Sequence, residues 1–468
     1  MASISVDVVI IGSGPGGYVA AVRAAQLGKK VACVERAELG GICLNWGCIP
    51  TKTLINDAHF FHEMVHQGPK YGLQIDRAKL QWNKVVERSR GVANTLSNQI
   101  GFLFKKNNVQ SFKGSAFVPK AGVVEVKNEK GEVTDTINTQ NILVCTGARP
   151  RDLPGIKPDG QKIITSREAM VLGEVPKNLI IIGAGAIGVE FAYIYHEFGS
   201  KVTLVEMLPE ILPVEDEAVS ARLKKIFLKN GMDIRTRHRT DKIETTATGV
   251  KIAVTNLETN KQEVIEGDKV LVAIGVTGNV EGLFAPSSTP AIERGHIKVG
   301  KDFQTNIPGV YAAGDVIGPP WLAHVASFEA TIAIERMFKV NKREMDYSTI
   351  PGGTYCNPQV ASVGLTEKQC KEKGLNYEVG TYNFAANGKA LAINESDGFV
   401  KLIFDREHGE LLGAHIIGSD ATEMIAELVL AKRLEATKDE IYSTIHAHPT
   451  LSEAVMDAAA ALTTGGTH

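Results

Sequence analysis

Cys43 and Cys48 are the residues whose type and spacing most clearly indicate chemistry. Four residues separate them, and one more turn of helix past Cys43 would bring Cys48 close enough for an internal disulfide. In a reducing compartment, a close pair is more often catalytic or metal-binding than structural. Zinc requires about four ligands, and no second cysteine or histidine pair is suitably spaced nearby. The pattern therefore favours redox chemistry, and no metal site is expected.

A glycine-rich turn begins the elements that would position this pair. It lies between a predicted strand, residues 6–11, and a predicted helix, residues 18–27. Its first glycine permits a tight turn, its second lets backbone amides approach a pyrophosphate, and its third lets the helix pack on the strand. A second strand, residues 30–34, leads to Glu35, whose carboxylate would hold a ribose. The three glycines of this predicted dinucleotide-binding turn are Gly12, Gly14 and Gly17.

The same arrangement occurs a second time. A predicted strand, residues 178–182, precedes a second glycine turn, and a predicted helix, residues 189–198, follows it. Glu206 lies as far beyond this turn as Glu35 lies beyond the first one. Met207 and Leu208 follow it where arginines would neutralise a 2′-phosphate, so NAD is preferred over NADP. The glycines of the second turn are Gly183, Gly185 and Gly188.

Composition excludes several other classes of protein. The 468 residues suggest several domains, and 51 basic against 53 acidic residues, without a long run of either sign, argue against nucleic acid as partner. No apolar stretch approaches the ~20 residues that span a bilayer, and no signal-like segment is recognised, so a soluble, cytoplasmic protein is expected. The other four cysteines are interpreted as buried or incidental thiols. They are Cys33, Cys145, Cys356 and Cys370.

The cysteine segment, residues 40–52, has the pattern Gly-Gly-x-Cys-x-Asn-x-Gly-Cys-Ile-Pro-x-Lys. Through this pattern the chain resembles the pyridine-nucleotide disulfide oxidoreductases over essentially its whole length. Within that family it is most similar to the branch that oxidises dihydrolipoamide. Further matching segments occur in the family's order at residues 145–150, 309–315, 322–324 and 446–453.

The resemblance implies two cofactors, FAD at the first glycine turn and NAD at the second. Gly12, Gly14, Gly17 and Glu35 would contact the ADP half of FAD, Asp315 its ribityl chain, and Lys52 would lie beside the flavin ring. Further implied cofactor contacts are Ala116, Thr146, Gly147, Ala148, Leu322, Ala323 and His324. Those implied in the NAD site are Gly183, Gly185, Gly188, Glu206, Gly275, Ile187 as a gate over the nicotinamide, and Glu190 as an ion-pair partner of Lys52.

The resemblance also assigns the catalytic groups. Cys43 would be the thiol that meets the dithiol substrate, and Cys48 the sulfur that faces the flavin. A dithiol attacks as thiolate, and the ordinary thiol pKa is about 8.5, so a base is useful near neutral pH. His448 is implied as that base, acting from a second subunit, and Glu453 would orient it. Pro449 is expected to begin the helix between them, while His446 is interpreted as structural.

The implied fold class is α/β, with two Rossmann-like dinucleotide-binding domains and a C-terminal α+β dimerisation domain. The expected ranges are 1–149 for FAD binding, 150–274 for NAD binding, 275–345 for a segment that completes the FAD region, and 346–468 for the interface. The implied activity is oxidation of protein-bound dihydrolipoamide by NAD⁺ in a homodimer. The implied partners are lipoyl domains and the acyltransferase core of 2-oxoacid dehydrogenase complexes, or the glycine cleavage system.

Three alternatives are weaker. Glutathione reductase would require NADP-binding arginines where Glu206 and Met207 stand, and mercuric reductase would carry a cysteine pair near the carboxyl terminus. A catalytically silent flavoprotein scaffold would have lost a cysteine of the pair or His448. The chain departs from the family pattern at residues 275–279, which lack an arginine, at Trp46 inside the cysteine loop, and at Val325 in place of a lysine.

Overall fold

Helices and strands alternate along the chain in the computed structural model, which describes residues 2–75 and 77–463. The expected interface domain thus extends at its end, residues 464–468, beyond the described residues. The α-helices are α1 Pro15–Gln26, α2 Gly41–Trp46, α3 Cys48–His62, α4 Trp82–Lys106, α5 Ser166–Ala169, α6 Ala186–Glu197, α7 Glu217–Lys229, α8 Ala323–Met337, α9 Glu367–Glu372, α10 Gly388–Ala392, α11 Ala421–Arg433, α12 Lys438–Ser443 and α13 Glu453–Ala460.

The strands are short, and many are rich in β-branched residues. They are β1 Ala2–Ile11, β2 Val31–Glu35, β3 Gln110–Lys113, β4 Ser115–Lys120, β5 Val123–Lys127, β6 Val133–Val144, β7 Ala148–Pro150, β8 Ile163–Ile164, β9 Asn178–Ile182, β10 Lys201–Val205, β11 Asp233–Arg235, β12 His238–Thr245, β13 Val250–Asn256, β14 Gln262–Gly267, β15 Lys269–Val272, β16 Val276–Gly278, β17 Ile292–Glu293, β18 His296–Ile297, β19 Val310–Ala312, β20 Gly352–Thr354, β21 Gln359–Gly364, β22 Tyr377–Asn383, β23 Phe399–Asp405 and β24 Leu411–Gly418.

Contacts divide the chain into two units. The first unit consists of three segments, and so does the second. The first contains Met1–Thr53, Asn83–Arg151 and Gly275–Met345; the second contains Leu54–Trp82, Asp152–Ile274 and Asp346–His468. The four domain ranges expected from the resemblance remain a proposal.

The first unit is built on a seven-stranded sheet in the order β3-β2-β1-β6-β5-β4, with β19 also paired to β6. β1, β2, β3, β6 and β19 pair in parallel, whereas β4 and β5 are antiparallel. Val8, Val9 and Ile10 of β1 are all fully buried, as expected for a parallel strand covered on both faces. Ligands of such sheets bind at the carboxyl ends of the strands, and the first glycine turn follows β1 there.

The second unit contains three sheets. A parallel sheet has the order β11-β10-β9-β15-β8, a three-stranded antiparallel sheet has the order β12-β13-β14, and a five-stranded antiparallel sheet has the order β20-β21-β24-β23-β22. The last of these packs against α11 and α13 around a core that includes Phe384, Phe404 and Leu428. Together with the first unit, these sheets confirm the predicted α/β fold class.

The two helices that follow the glycine turns begin three residues earlier than predicted. α1 starts at Pro15 rather than residue 18, and α6 at Ala186 rather than residue 189. Proline is favoured at the first helical position because its missing N–H is not needed there. In both cases the last three residues of the glycine motif belong to the first turn of the helix. The strand predicted at 178–182 coincides with β9. Among the described residues, no helix combines the length and apolar character needed to cross a membrane.

A buried ion triad joins α7, α9 and β23 in the second unit. The Lys401 ammonium lies 2.8 Å from a carboxylate oxygen of Asp216 and 2.8 Å from one of Glu367. Lys401 and Asp216 are buried, and hydrogen bonds from Lys401 and then Lys371 hold the pKa of Glu367 at about 2. Removing one member of a buried pair leaves an uncompensated charge.

We therefore predict that Lys401→Met lowers the free energy of unfolding by about 3–5 kcal/mol, measured by urea titration of the holoprotein. Lys371→Met is the matched control. That lysine also contacts Glu367 but is mostly exposed, so its loss should change the stability much less. The pKa of Glu367 lies below its unfolded value of 4.5. Its contribution is therefore complete above pH 4.5 and disappears as pH falls towards 2. Equal effects of the two substitutions would contradict this interpretation.

Candidate functional site

The first glycine turn is shaped by close backbone contacts on two sides and open space on the third. A Cβ atom at Gly17 would lie 1.9 Å from the Gly12 carbonyl oxygen, and one at Gly12 would lie 2.4 Å from the Cys145 oxygen. At Gly14, by contrast, the nearest described atom would be 3.9 Å away. The turn thus packs tightly against its own sheet and keeps the side of Gly14 free for a ligand, as pyrophosphate binding requires.

Glu35 anchors this turn. One oxygen of its carboxylate accepts hydrogen bonds from the backbone N–H and the hydroxyl of Ser13, both at 2.8 Å. The other oxygen accepts from the backbone N–H of Ala37, also at 2.8 Å. Since each carboxylate oxygen has further acceptor capacity, Glu35 can hold the turn and still accept a ribose hydroxyl.

The cysteine pair lies at a break between two helices, not on one continuous helix. Cys43 is in α2, Cys48 is the first residue of α3, and Gly47 between them has φ −150° and ψ −113°. The expectation that a further turn of helix joins the two cysteines is therefore wrong. A Cβ atom at Gly47 would lie 3.1 Å from the Ile42 carbonyl oxygen, and this close approach allows the chain to turn there.

The two cysteine side chains nevertheless contact each other. A hydrogen bond with Cys48 raises the pKa of Cys43, and burial raises it further, while the Lys52 ammonium lowers it and Asp315 raises it. The pair therefore has a cation and a carboxylate nearby. The structure thus brings Asp315, which is distant in sequence, close to Cys43, Cys48 and Lys52 of the cysteine segment.

Helix α4 braces the cysteine segment through contacts that the sequence did not predict. The Ser97 hydroxyl donates to the Leu39 carbonyl at 2.8 Å, and the Ser89 hydroxyl donates to the Pro50 carbonyl at 3.0 Å. Between them, the Arg90 guanidinium donates to the Asn45 carbonyl and lies 3.9 Å from the centre of the Trp46 ring. A cation over a tryptophan face is attractive, so the large side chain of Trp46 has a partner. Helix α4 therefore holds the chain on both sides of Cys43 and Cys48.

The remaining residues implied in FAD binding also belong to the first unit. The Asp315 carboxyl is largely buried, and burial raises its pKa to about 6. The residue before it, Gly314, donates its N–H to Glu329 at 2.8 Å. A buried carboxyl that is costly to ionise suits hydrogen bonding to hydroxyl groups such as those of a ribityl chain. Ala116 lies in β4, Ala148 begins β7, and Ala323 and His324 begin α8, with Leu322 at its N-cap.

Two hydrogen bonds connect Thr146, which follows β6, with Asn279, which follows β16. The Thr146 hydroxyl donates to the Asn279 carbonyl at 2.7 Å, and the Asn279 amide donates to the Thr146 carbonyl at 2.9 Å. The adjacent Gly147 has φ +67°, which favours glycine. Arg149 donates to the Gly278 carbonyl at 2.9 Å and pairs with Glu281. An arginine therefore binds the 275–279 segment, which carries none itself.

The second glycine turn repeats the first in detail. A Cβ atom at Gly188 would lie 1.9 Å from the Gly183 oxygen, and one at Gly183 would lie 2.4 Å from the Ala273 oxygen, whereas no described atom lies within 4 Å at Gly185. Glu206 accepts from the Ala184 N–H at 2.7 Å and from the Leu208 N–H at 2.8 Å. The two turns thus offer the same kind of dinucleotide site.

Two arginines lie near Glu206 although they are distant in sequence. The Glu206 N–H donates to the Arg235 carbonyl, and the Arg237 N–H donates to the Leu208 carbonyl. Their guanidinium groups, however, pair with carboxylates: Arg235 with Asp233 and Glu263, and Arg237 with Glu258. Their charge is thereby neutralised locally, which leaves Glu206 as the carboxylate that would repel a 2′-phosphate.

The other residues implied around the nicotinamide lie at or beyond this turn. Ile187 in the first turn of α6 is 40% exposed, which is unusual for an isoleucine in a helix that is otherwise mostly buried. Glu190 is buried and accepts the Tyr355 N–H at 3.1 Å. Gly275 has φ +108°. The ion pair of Glu190 with Lys52 remains a prediction, since the two residues belong to different units.

His448 and Glu453 form the predicted pair. His448 Nδ1 lies 2.9 Å from one Glu453 oxygen, and the Thr450 N–H donates to the other at 2.8 Å. Burial alone would raise the pKa of Glu453, but the hydrogen bonds from Thr450 and His448 lower it overall. The imidazole is 79% exposed. Its other nitrogen, Nε2, can therefore face a second molecule.

The helix after His448 begins later than predicted. α13 starts at Glu453 instead of Pro449, so the proline belongs to the loop. The residues before Glu453 stay in a loop because the Glu453 carboxylate accepts the N–H of Thr450, and the Asn387 amide donates to the Thr450 carbonyl at 3.0 Å. A negative side chain in the first turn also stabilises a helix N-terminus.

His446 occupies a different environment. Its Nε2 lies 2.8 Å from Glu427 and its Nδ1 lies 2.8 Å from the Thr444 carbonyl, and its side chain is nearly buried. Both ring nitrogens are therefore engaged within the chain, which supports a structural role. Asn387 and Glu427 position this loop, and neither could be recognised from sequence because each lies far along the chain from the histidine loop.

Comparison with known proteins identifies the family. The model of the family described as "pyridine nucleotide-disulphide oxidoreductase" matches residues 6–330. The model of that family's dimerisation domain matches residues 350–459. The chain belongs to the pyridine nucleotide-disulphide oxidoreductase family. Its cofactors are FAD and NAD(H), as in the dihydrolipoyl dehydrogenases that it resembles. The open space at Gly14 and the buried carboxyl of Asp315 fit FAD, and the turn around Gly185 fits NAD.

Several individual proteins are similar over their whole length. A dihydrolipoyl dehydrogenase from Rhizobium etli is 45% identical, with 97% of each chain covered. One from Chlorobaculum tepidum is 44% identical, covering 97% of this chain and 96% of the relative. The crystal structure of LpdA from Mycobacterium tuberculosis superposes with a TM-score of 0.90 at 27% identity, covering 97% of this chain and 99% of that one.

The environment of Glu206 predicts the nucleotide preference. We expect kcat/KM for NAD⁺ to exceed that for NADP⁺ clearly, because a carboxylate at Glu206 would accept hydrogen bonds from ribose hydroxyls but would repel a 2′-phosphate. Glu206→Gln should reduce this preference, measured by steady-state kinetics with both nucleotides. Glu258→Gln is a second variant: it removes the carboxylate that pairs with Arg237, and so tests whether the freed guanidinium group improves the use of NADP⁺. Comparable values for the two nucleotides with the wild-type protein would show that Glu206 does not contact the ribose.

Proposed function

We propose that this protein is a dihydrolipoyl dehydrogenase that oxidises protein-bound dihydrolipoamide and reduces NAD⁺ to NADH. The observation that carries the proposal is the contact between Cys43 and Cys48, with Lys52 and Asp315 beside it, in a chain that is 40–45% identical to relatives of that name. The overall reaction converts two substrate thiols into one disulfide. Its two electrons and one proton appear in NADH, and the second proton is released.

The two cysteines carry the disulfide exchange. A substrate thiolate attacks Cys43 Sγ of the Cys43–Cys48 disulfide, which forms a mixed disulfide and releases Cys48 as thiolate. The second substrate thiol then displaces Cys43, closes the lipoyl disulfide and leaves both cysteines reduced. Bound FAD supplies the two-electron chemistry that links this dithiol to NAD⁺. Lys52 stabilises negative charge at the pair, consistent with its effect on the pKa of Cys43.

His448 is the proposed base. It accepts the proton of an attacking substrate thiol at Nε2, while Glu453 fixes the ring through Nδ1 at 2.9 Å. A carboxylate in that position orients the imidazole and stabilises its charged form, as in other catalytic triads. The high exposure of this side chain and of Ile445, which is 95% exposed, suits a surface that another subunit covers.

The proposed assembly is a homodimer in which His448 serves the cysteine pair of the partner chain. The dimerisation-domain match over residues 350–459, which include the histidine loop, supports a homodimer. Lipoyl domains and the acyltransferase core of a 2-oxoacid dehydrogenase complex, or the lipoyl protein of a glycine cleavage system, are the proposed partners. A cytoplasmic location is part of the same proposal and rests on the sequence composition.

The His448 role predicts a specific loss of activity. His448→Gln should lower dihydrolipoamide oxidation by about 10²–10⁴-fold, the usual range for a general base. Glu453→Gln should cost less, because an amide oxygen still orients the ring when the charge is lost. NADH oxidation with an artificial electron acceptor, which bypasses the dithiol step, should remain near wild type in both. His408→Gln, on an exposed turn, is the control. Full dithiol activity in His448→Gln would remove this residue from the mechanism.

A further inference from the structure

A second group of chemically reactive side chains lies in the second unit, where no catalytic role has been assigned. His59 lies near the end of α3, Glu63 begins a π-helical turn, Glu63–Gln67, and Glu395 lies in the loop after α10. One donor atom from each of these three side chains lies within 4.8 Å of the other two. All three are half-buried. Short π-helical turns are frequent at functional sites.

The loop that carries Glu395 is fixed against the helical segment that carries the other two residues. The Tyr71 hydroxyl donates to the Ile393 carbonyl at 3.0 Å, and the Asn394 amide donates to Gln67 at 3.4 Å. The Glu395 N–H donates to the Ala390 carbonyl at 2.9 Å. Two side-chain hydrogen bonds and one backbone hydrogen bond therefore hold the Glu395 loop beside the segment that carries His59 and Glu63, as a preorganised ligand site requires.

Two of these groups, His59 and Glu395, share one hydrogen-bonding partner, the side-chain amide of Asn357. The Asn357 amide nitrogen lies 3.3 Å from His59 Nδ1 and 3.2 Å from a Glu395 oxygen. Because an amide nitrogen only donates, both His59 Nδ1 and Glu395 act as acceptors towards the same point. An amide turned by half a rotation would present its oxygen there as a further ligand for a cation.

A buried hydroxyl close to the cluster has no partner among the described residues. Tyr193 is 3% exposed, and its hydroxyl makes no hydrogen bond. Burial raises the pKa of Tyr193, and the carboxylates of Glu197, Glu395 and Glu63 raise it further. The hydroxyl thus lies in the field of this cluster. A buried polar group without a partner is costly, and a ligand-bound water would satisfy it.

The charges of the cluster favour a cation as well. The carboxylates of Glu63 and Glu395 lie close to one another and to the His59 imidazole. His62 is already paired with Glu197, at 2.6 Å. A divalent ion between the two carboxylates would relieve their mutual repulsion.

We propose that His59, Glu63 and Glu395 bind one divalent transition-metal ion per chain, for which Zn²⁺ is a probe without redox chemistry of its own. One imidazole nitrogen and two carboxylate oxygens are ligands that zinc accepts at about 2.0–2.2 Å. The imidazole selects transition metals over Mg²⁺ and Ca²⁺, which prefer oxygen ligands. The ion would link α3 to the loop after α10. This site is separate from the redox chemistry and does not depend on the proposed activity.

The test is titration of the oxidised, tag-free holoprotein with ZnCl₂ against a chromophoric chelator. Oxidation keeps Cys43 and Cys48 from binding zinc as thiolates. We expect one site per chain in the wild type, and its loss in His59→Gln and in Glu395→Gln. His66→Gln is the matched control, because His66 is an exposed histidine on the same helical segment whose ring lies against that of His62. It should retain the site.

Thermal unfolding gives a second readout. An ion that binds only the folded protein raises the unfolding temperature, so ZnCl₂ should raise it in the wild type and in His66→Gln but not in Glu395→Gln. If His59→Gln fails to fold or to bind FAD, Glu63→Gln replaces it. Absence of stoichiometric zinc binding in the wild type overturns the proposal. Retention of the site in Glu395→Gln or Glu63→Gln overturns it equally.

Discussion

The contact between Cys43 and Cys48 depends on a break in helical structure at Gly47. Cys43 lies within the short helix α2 and Cys48 begins the longer helix α3, so their side chains meet at a bend that a continuous helix would not provide. The bend needs external support, and α4 supplies it through Ser89, Arg90 and Ser97. A disulfide that opens and closes during turnover thus lies in a frame that is fixed on both sides.

The two glycine turns have the same local structure. In each, the third glycine lets a helix approach the turn to a distance that no side chain would permit, and the second glycine faces open space. In each, a glutamate from the next strand binds a backbone N–H of the turn. The glutamate therefore shapes the turn at both positions, and its carboxylate keeps acceptor capacity for the ribose hydroxyls of the nucleotide proposed there.

The local part of this arrangement could be predicted from sequence, whereas contacts between distant segments could not. The glycine turns, their acids and the strand of residues 178–182 depend on neighbouring residues, and so does the short distance between His448 and Glu453. The helix start at Pro15 was missed although proline is itself a local signal for a first helical position, and α6 repeats this start at Ala186. The loop at Pro449 was missed because it is held in part by Asn387 from a distant segment. Arg90 beside Trp46, and Arg237 beside Glu206, are brought there by folding alone.

The central claim is that His448 of one chain serves the cysteine pair of another, and mixing two inactive variants tests it most directly. Cys43→Ser and His448→Gln chains are exchanged into heterodimers, and dihydrolipoamide oxidation is measured after exchange is verified. A shared site places both defects in one active site of the heterodimer and none in the other, so partial activity should return. Activity that stays at background in verified heterodimers would show that base and disulfide belong to one chain, and would contradict the account.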